Sequence, residues 1–151
     1  MAIQSAVSII GQLNLHVLFD GYDMQSHGSF EIYTKDQALI VKAIGAWNYE
    51  TALSCAKAYK ELVIQFNGKP WACLLDLTEW ELFTPEASDC IDQLNEWGNE
   101  HNQKYEVVIF RSAIQKGVME KSHRVLTNVE TMFCESFEQA ELWLKKLGVI
   151  S

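Results

Sequence analysis

No lysine or arginine precedes Lys35, and the 151-residue chain sets 12 basic side chains against 20 acidic ones. A formal net charge of −8 argues against nucleic acid as a partner, because a polyanion is held by clustered Lys and Arg. It favours a soluble protein kept apart from its neighbours by repulsion. A secretory leader is also argued against, since it would need a positive segment ahead of its apolar core. The one long apolar stretch, Ala6 to Phe19, is interrupted by Ser8, Gln12, Asn14 and His16. It falls short of the roughly 20 residues a spanning helix requires, so no membrane span is expected. Residues 1–27 are expected to form an extension, a helix or strand packed on the domain or on a second subunit.

Cysteine is sparse and scattered: Cys55, Cys73, Cys90 and Cys134 form no C-x-x-C pair. Each falls on the apolar phase of its segment, where free Cys behaves as a small hydrophobe. A disulfide framework and a structural zinc site are both disfavoured, and a reducing compartment, the cytoplasm, is expected. The common phosphate cradles G-x-G-x-x-G and G-x-x-x-x-G-K-[ST] are absent. A phosphoacceptor receiver would need acids after an early strand, and the early strand here ends Ala43-Ile44-Gly45-Ala46. His16, His27, His101 and His123 lie far apart, without the spacing of a metal site. No G-x-S-x-G elbow occurs. Neither a cofactor nor a catalytic set is therefore expected.

What the chain does contain is alternation. Ser29–Thr34 and Ala38–Ile44 read as a hairpin joined by Lys35-Asp36-Gln37. Asn48 is placed to cap a helix carrying Tyr49, Ala52, Leu53, Ala56, Val63 and Phe66 on one face. Asn67-Gly68-Lys69-Pro70 ends it. Ala72–Leu77 is apolar on both phases until Asp76, the pattern of a strand covered on both sides. Thr84 caps the next helix, with Pro85 at its first position and Glu86 near the positive dipole end. That helix buries Ala87, Cys90, Ile91, Leu94 and Trp97 and exits at Gly98-Asn99. Tyr105–Phe110 is a further buried strand, and residues 113–128 a weaker helix through Ile114, Val118 and Val125. Thr131–Glu135 returns as a strand, and Ser136-x-x-Gln139 opens a last helix as a capping box.

The order implies one α/β domain over residues 28–151. Its single sheet, mostly parallel and of four or five strands, has an N-terminal hairpin and flanking helices. In such sheets ligands gather outside the carboxyl ends of the strands. There the chain places Asp76, Glu79, Glu81 and Glu86 around Trp80 and Phe83. The glutamates are expected to be solvated. Trp80 is open to two readings, an exposed anchor for a partner or a side chain packed onto the sheet. A contrasting basic patch holds Arg111, Lys116, Lys121, His123 and Arg124. Arg111 and Ser112 stand between a strand and a helix N-terminus, where an anion could be held, although a solvated helix face is the stronger expectation.

Four segments together resemble the STAS-like, SpoIIAA-like group of small bacterial proteins. They are Gly45-Ala-Trp-Asn-Tyr-Glu50, Pro70-Trp-Ala-Cys-Leu-Leu-Asp-Leu77, Thr84-Pro-Glu-Ala87 and Phe137-Glu-Gln-Ala-Glu-Leu-Trp-Leu144. The resemblance covers about residues 28–147. It implies the fold of sporulation anti-sigma-factor antagonists, a homodimer and no catalytic machinery. True STAS antagonists are switched by phosphorylation of a serine in an Asp-Ser-Ser-Gly-type turn after the strand matched here by Leu74–Leu77. This chain has Asp76-Leu-Thr-Glu-Trp80 instead, which leaves Thr78 and Thr84 as the hydroxyls nearby. The expected function is a non-enzymatic interaction or regulatory module working through Trp47, Asn48, Asp76, Thr78, Trp80 and Thr84. The alternative is a binder of a small apolar or amphipathic, lipid-like ligand, with Arg111 or Lys116 holding an acidic head group and Ser112 beside it.

Overall fold

Strand–helix alternation from Ala38 onward dictates the topology. The computed structural model describes residues 28–151; the expectation for residues 1–27 lies outside the described residues. The elements are β1 (Ser29–Lys35), β2 (Ala38–Trp47), α1 (Tyr49–Val63), β3 (Trp71–Phe83), α2 (Pro85–Glu100), β4 (Gln103–Ile109), α3 (Ala113–Ser122), β5 (Glu130–Cys134) and α4 (Phe137–Lys146). Single 3-10 turns, Ile64–Phe66 and His123–Val125, extend α1 and α3. The five strands lie in sequence order, β1 antiparallel to β2 and every later pair parallel.

Right-handed crossovers between successive neighbours put their helices on one face of the sheet. There Phe30, Leu39, Val41 and Cys73 pack with Ala52, Tyr59 and Leu62 of α1, Leu94 of α2 and Met119 of α3. The other face carries α4, where Ile40, Leu74, Val107 and Ile109 meet Ala140 and Leu144. β3 and β4 are covered on both faces, as their unbroken apolar runs require. Full burial of side chains such as Leu39 and Leu74 contributes about 1.5–3 kcal/mol each. The four cysteines are unpaired, three of them buried.

The caps form as their chemistry dictates. Asn48 Oδ1 accepts from Thr51 N at 3.2 Å, and Ser136 Oγ accepts from Gln139 N at 3.2 Å. Gln139 reaches back to Glu135 N rather than to Ser136 N. Asn67 takes a positive φ of 54° after the turn that ends α1, the left-handed conformation Asn tolerates.

Four expectations are corrected by the structure. The buried arc of α1 includes Thr51, Cys55, Tyr59 and Leu62, so Tyr49 and Leu53, expected inside, are exposed. α2 does not exit at Gly98; it runs through to Glu100. Gly98 lies so close to the next strand that a Cβ there would stand 2.5 Å from Gln103 Oε1. In α3 the stripe is reversed: Gln115 and Met119 face inward while Ile114 and Val118 are exposed. The expected helix over 113–128 is also shorter, ending at Ser122 before the 3-10 turn.

Candidate interaction surface

β4 stops at Ile109, opposite Asp76, but β3 runs seven residues further, to Phe83. The acidic, aromatic stretch beyond Leu77, where the strand was expected to end, is therefore strand as far as Phe83. On one side it pairs with β2 as far as Trp47 opposite Phe83, with register shifts after Lys42 and after Gly45. Each shift places an extra residue on β3 and increases the local twist. Its other edge has no strand beside it, and every buried carbonyl there still requires a donor.

Gln115 supplies the donor. Its Nε2 donates to Leu77 O at 2.9 Å and to Trp80 O at 2.8 Å, while its Oε1 accepts from Arg111 N at 2.7 Å. Arg111 Nη1 donates to the intervening Thr78 O at 2.8 Å. One buried amide and one guanidinium thus stand in for a neighbouring strand. Asp76 Oδ1 accepts from both Thr78 N, at 2.9 Å, and Thr78 Oγ1, at 2.7 Å, which fixes the chain at the point where β4 ends.

The expected site residues gather here, most of them as supports. Trp47 and Trp80 are each only 2% exposed. Trp47 Nε1 donates to Ser29 O at 2.9 Å, and Phe83 links the two indoles, with ring centroids 5.7 Å from Trp47 and 4.6 Å from Trp80. Of the two readings of Trp80, the packed one holds. Asn48, Thr84 and Ser112 are the N-caps of α1, α2 and α3. Thr84 N also donates to Trp47 O at 2.9 Å, tying the ends of β2 and β3 together. Arg111, bonded to Thr78 O, and Ser112, accepting from Gln115 N at 3.2 Å, both carry structural bonds at the proposed anion position.

The residues that face outward are ones that sequence reasoning missed or put in the core. Leu82 is 54% exposed, Ile114 80% and Val118 38%. With Trp80, Phe83 and Pro85 they line a groove of about 480 Å³ between the end of β3, α2 and α3. Asp89 and Asp92 stand on its α2 wall and Lys121 on its α3 wall. No periodicity could have revealed this, because Ile114 and Val118 fit a buried stripe as well as Met119 does.

A second polar cluster lies in the core beneath α2. His123 Nε2 is 2.8 Å from Glu106 Oε2, both buried, and Gln103 Nε2 donates to Glu106 Oε1 at 3.2 Å. Asn95 Nδ2 donates to Ser122 Oγ at 2.9 Å, and Ser122 Oγ to Asp92 Oδ1 at 2.7 Å. These bonds, with Gln115 and the apolar Met119, attach α3 and its 3-10 turn to the sheet and to α2. Burial pushes the Cys73 thiol well up from its ordinary range, and nearby Glu106 adds to the effect. Cys55 is pushed up by burial and then by Cys90. Both thiols are held protonated, the inert form. Near the ends of β2 and β3, Lys42 pairs with Glu79, a hydrogen bond that raises the lysine pKa.

A small cavity of about 40 Å³ between the sheet, α1 and α2 is lined by Val41, Cys55, Tyr59, Leu94 and Glu106 among others. Among the described residues no cluster of His, Cys, Asp and Glu is placed to hold a metal ion. No helix among them is long and apolar enough to cross a membrane.

No family model and no curated protein matches the sequence. Solved structures do match in three dimensions. An uncharacterized protein of the DUF3478 family with a SpoIIAA-like fold, from Shewanella loihica, superposes with a TM-score of 0.63 at 18% identity, covering 79% of this chain and 94% of its own. The anti-sigma factor antagonist SpoIIAA in its unphosphorylated form gives 0.58 at 5% identity, over 78% of this chain and 98% of that one. An anti-sigma factor antagonist from Mycobacterium paratuberculosis gives 0.53 at 12% identity, over 78% and 94%. With the strand order and helix placement above, these likenesses establish that the chain has the SpoIIAA-like α/β fold.

Proposed function

We propose that this chain is a non-enzymatic, regulatory protein-interaction module that works through the surface at the carboxyl ends of its strands. The observation that carries the reading is the exposed trio Leu82, Ile114 and Val118 around a groove. Exposed apolar residues gathered in one rimmed depression mark interaction sites, whereas scattered ones need no explanation. Likeness of fold to two anti-sigma factor antagonists supports a regulatory role exercised on proteins. Asn48, Asp76, Thr78, Thr84, Arg111 and Ser112 then act by holding the surface in shape, with Trp47 and Trp80 as its foundation. The unpaired cysteines support a cytoplasmic setting, and the module acts as a homodimer.

The alternative, a lipid-like ligand, would need a cavity of its own. The small cavity between the sheet, α1 and α2 has room for a water or two, not an acyl chain; a wider one of about 530 Å³ lies against β5 and α4, where Lys116 stands over the lining rings Phe110 and Phe133. Ile114→Asp tests the proposal, because the residue is 80% exposed and its replacement should change stability by no more than about 0.5 kcal/mol. Capture of partners from native lysate by wild type and variant, compared at equal thermal stability, is expected to show loss in the variant. Identical capture by the two proteins would refute the assignment of this surface.

A further inference from the structure

We infer that the open edge of β5 takes an extended peptide from another protein, which adds to the sheet as a further strand. The site is separate from the groove: no residue lines both, so the inference stands whether or not the groove is used. Among the described residues β5 pairs with β4 alone. Phe110 N donates to Cys134 O at 3.0 Å, so Cys134 turns its backbone groups toward β4. Successive residues of a strand turn theirs to opposite edges, which leaves the N–H and C=O of Thr131 and Phe133 facing outward. No other backbone group among the described residues meets them. The next outward donor, Glu135 N, is covered by Gln139 Oε1 at 3.1 Å. Sheet edges are commonly blunted by charge. β1, the opposite edge, carries Glu31 and Lys35, whereas Thr131-Met-Phe-Cys134 carries none.

The cavity of about 530 Å³ lies at this edge, and its walls come from both faces of the sheet. Met132 and Trp143 pack against the core on the α4 side, Phe133 against the core on the other. Side chains of a strand alternate between faces. An added strand therefore sets one row against Leu142, 56% exposed, and Trp143, and the other row against Phe110 and Phe133. Lys116 Nζ stands 5.7 Å from the centroids of both phenyl rings, and Lys146 lines the α4 side. Neither lysine has an ion-pair partner among the described residues. Glu135, at the carboxyl end of the edge, is the one carboxylate in the lining. Two unpaired ammonium groups against one carboxylate select a peptide that carries an acid among its alternate apolar residues. An acyl chain would fill the apolar walls and leave the backbone of Thr131 and Phe133 to water. A peptide backbone bonds to both, and strand addition draws its affinity from such bonds.

Selection of random decapeptides on the full chain tests the inference, with laurate as the acyl-anion control. Enriched peptides are expected to alternate apolar side chains, to carry an acid, and to bind with dissociation constants of about 10 µM. The amides of Thr131 and Phe133, fast to exchange in the free chain, should slow about tenfold or more when a peptide is bound. N-methylation of the peptide at every second residue should abolish binding in one phase and spare it in the other, because a strand bonds its neighbour through alternate residues. Lys116→Glu should weaken the acidic peptides by about tenfold, and Ile114→Asp should leave them unchanged. A selection that enriches no peptide would overturn the inference, as would binding that leaves both amides fast or is hurt equally by the two methylation phases. Laurate that binds where no peptide does would overturn it in favour of an acyl anion. Amides already slow in the free chain would overturn it too, giving the edge to a second copy if dilution speeds them and to residues 1–27 if it does not.

Discussion

At the residue scale, Trp80 decides how the surface should be probed. An exposed indole would anchor a partner, and its removal would then cost binding and little stability. The side chain is instead 2% exposed and packed on Phe83. Trp80→Ala is therefore expected to lower unfolding free energy by about 3–5 kcal/mol, the cost of emptying a large aromatic site. Its Nε1 meets no acceptor among the described residues, so Trp80→Phe forfeits no hydrogen bond and should cost clearly less. Urea denaturation of the two variants measures the difference. Equal losses would mean that the indole N–H, not the ring, matters at this position. The roles of Asn48 and Thr84 are of another kind, since each accepts a backbone N–H at the start of a helix.

At the scale of elements, the long tail of β3 is the feature on which the surface depends. A strand edge without a partner is a liability that proteins cover or blunt, and Gln115 covers this one from α3. Gln115→Leu keeps the volume and removes the donors, leaving the carbonyls of Leu77 and Trp80 buried and unbonded. A loss of about 2–4 kcal/mol is expected, one unsatisfied group costing about 1–3 kcal/mol. Hydrogen exchange should rise first in residues 77–83 and in α3, with β4 and β5 unchanged. Uniform acceleration across the sheet would show that the tail is not a separately held element. The same polar attachment explains the reversed stripe of α3: its inward contacts are made by Gln115, Met119 and Ser122, which leaves Ile114 and Val118 to the solvent.

At the scale of the whole molecule, stability should fall in alkali. Cys55, Cys73 and Tyr59 are fully buried, and desolvation raises all three pKa values. Their neutral forms are retained in the folded protein, while the unfolded chain ionises its thiols above their ordinary value of 9.0. The stabilisation is thus complete below that pH and is lost as pH rises above it, at about 1.4 kcal/mol per pH unit for each ionised group. Urea midpoints between pH 8 and pH 10 should decline, and more shallowly in Cys73→Ala. A flat profile would mean that these groups are not sequestered on folding.

Much of this architecture is legible in the chain itself. Strand–helix alternation determines a parallel sheet, because right-handed connections leave few other arrangements. Asn48, Thr84-Pro85 and Ser136 announce helix starts through local hydrogen bonding, which needs no tertiary partner. The location proposed for the surface follows in the same way, from the rule that the carboxyl ends of parallel strands gather sites. The identity of the outward-facing residues does not. Whether Ile114 or Met119 faces inward depends on what α3 meets, and it meets two bare carbonyls at the end of β3. Trp80 is buried because β3 continues past β4, a matter of register between distant segments. Local propensity set the elements and their order; the contest for burial among them, decided only in three dimensions, determined which side chains remain exposed.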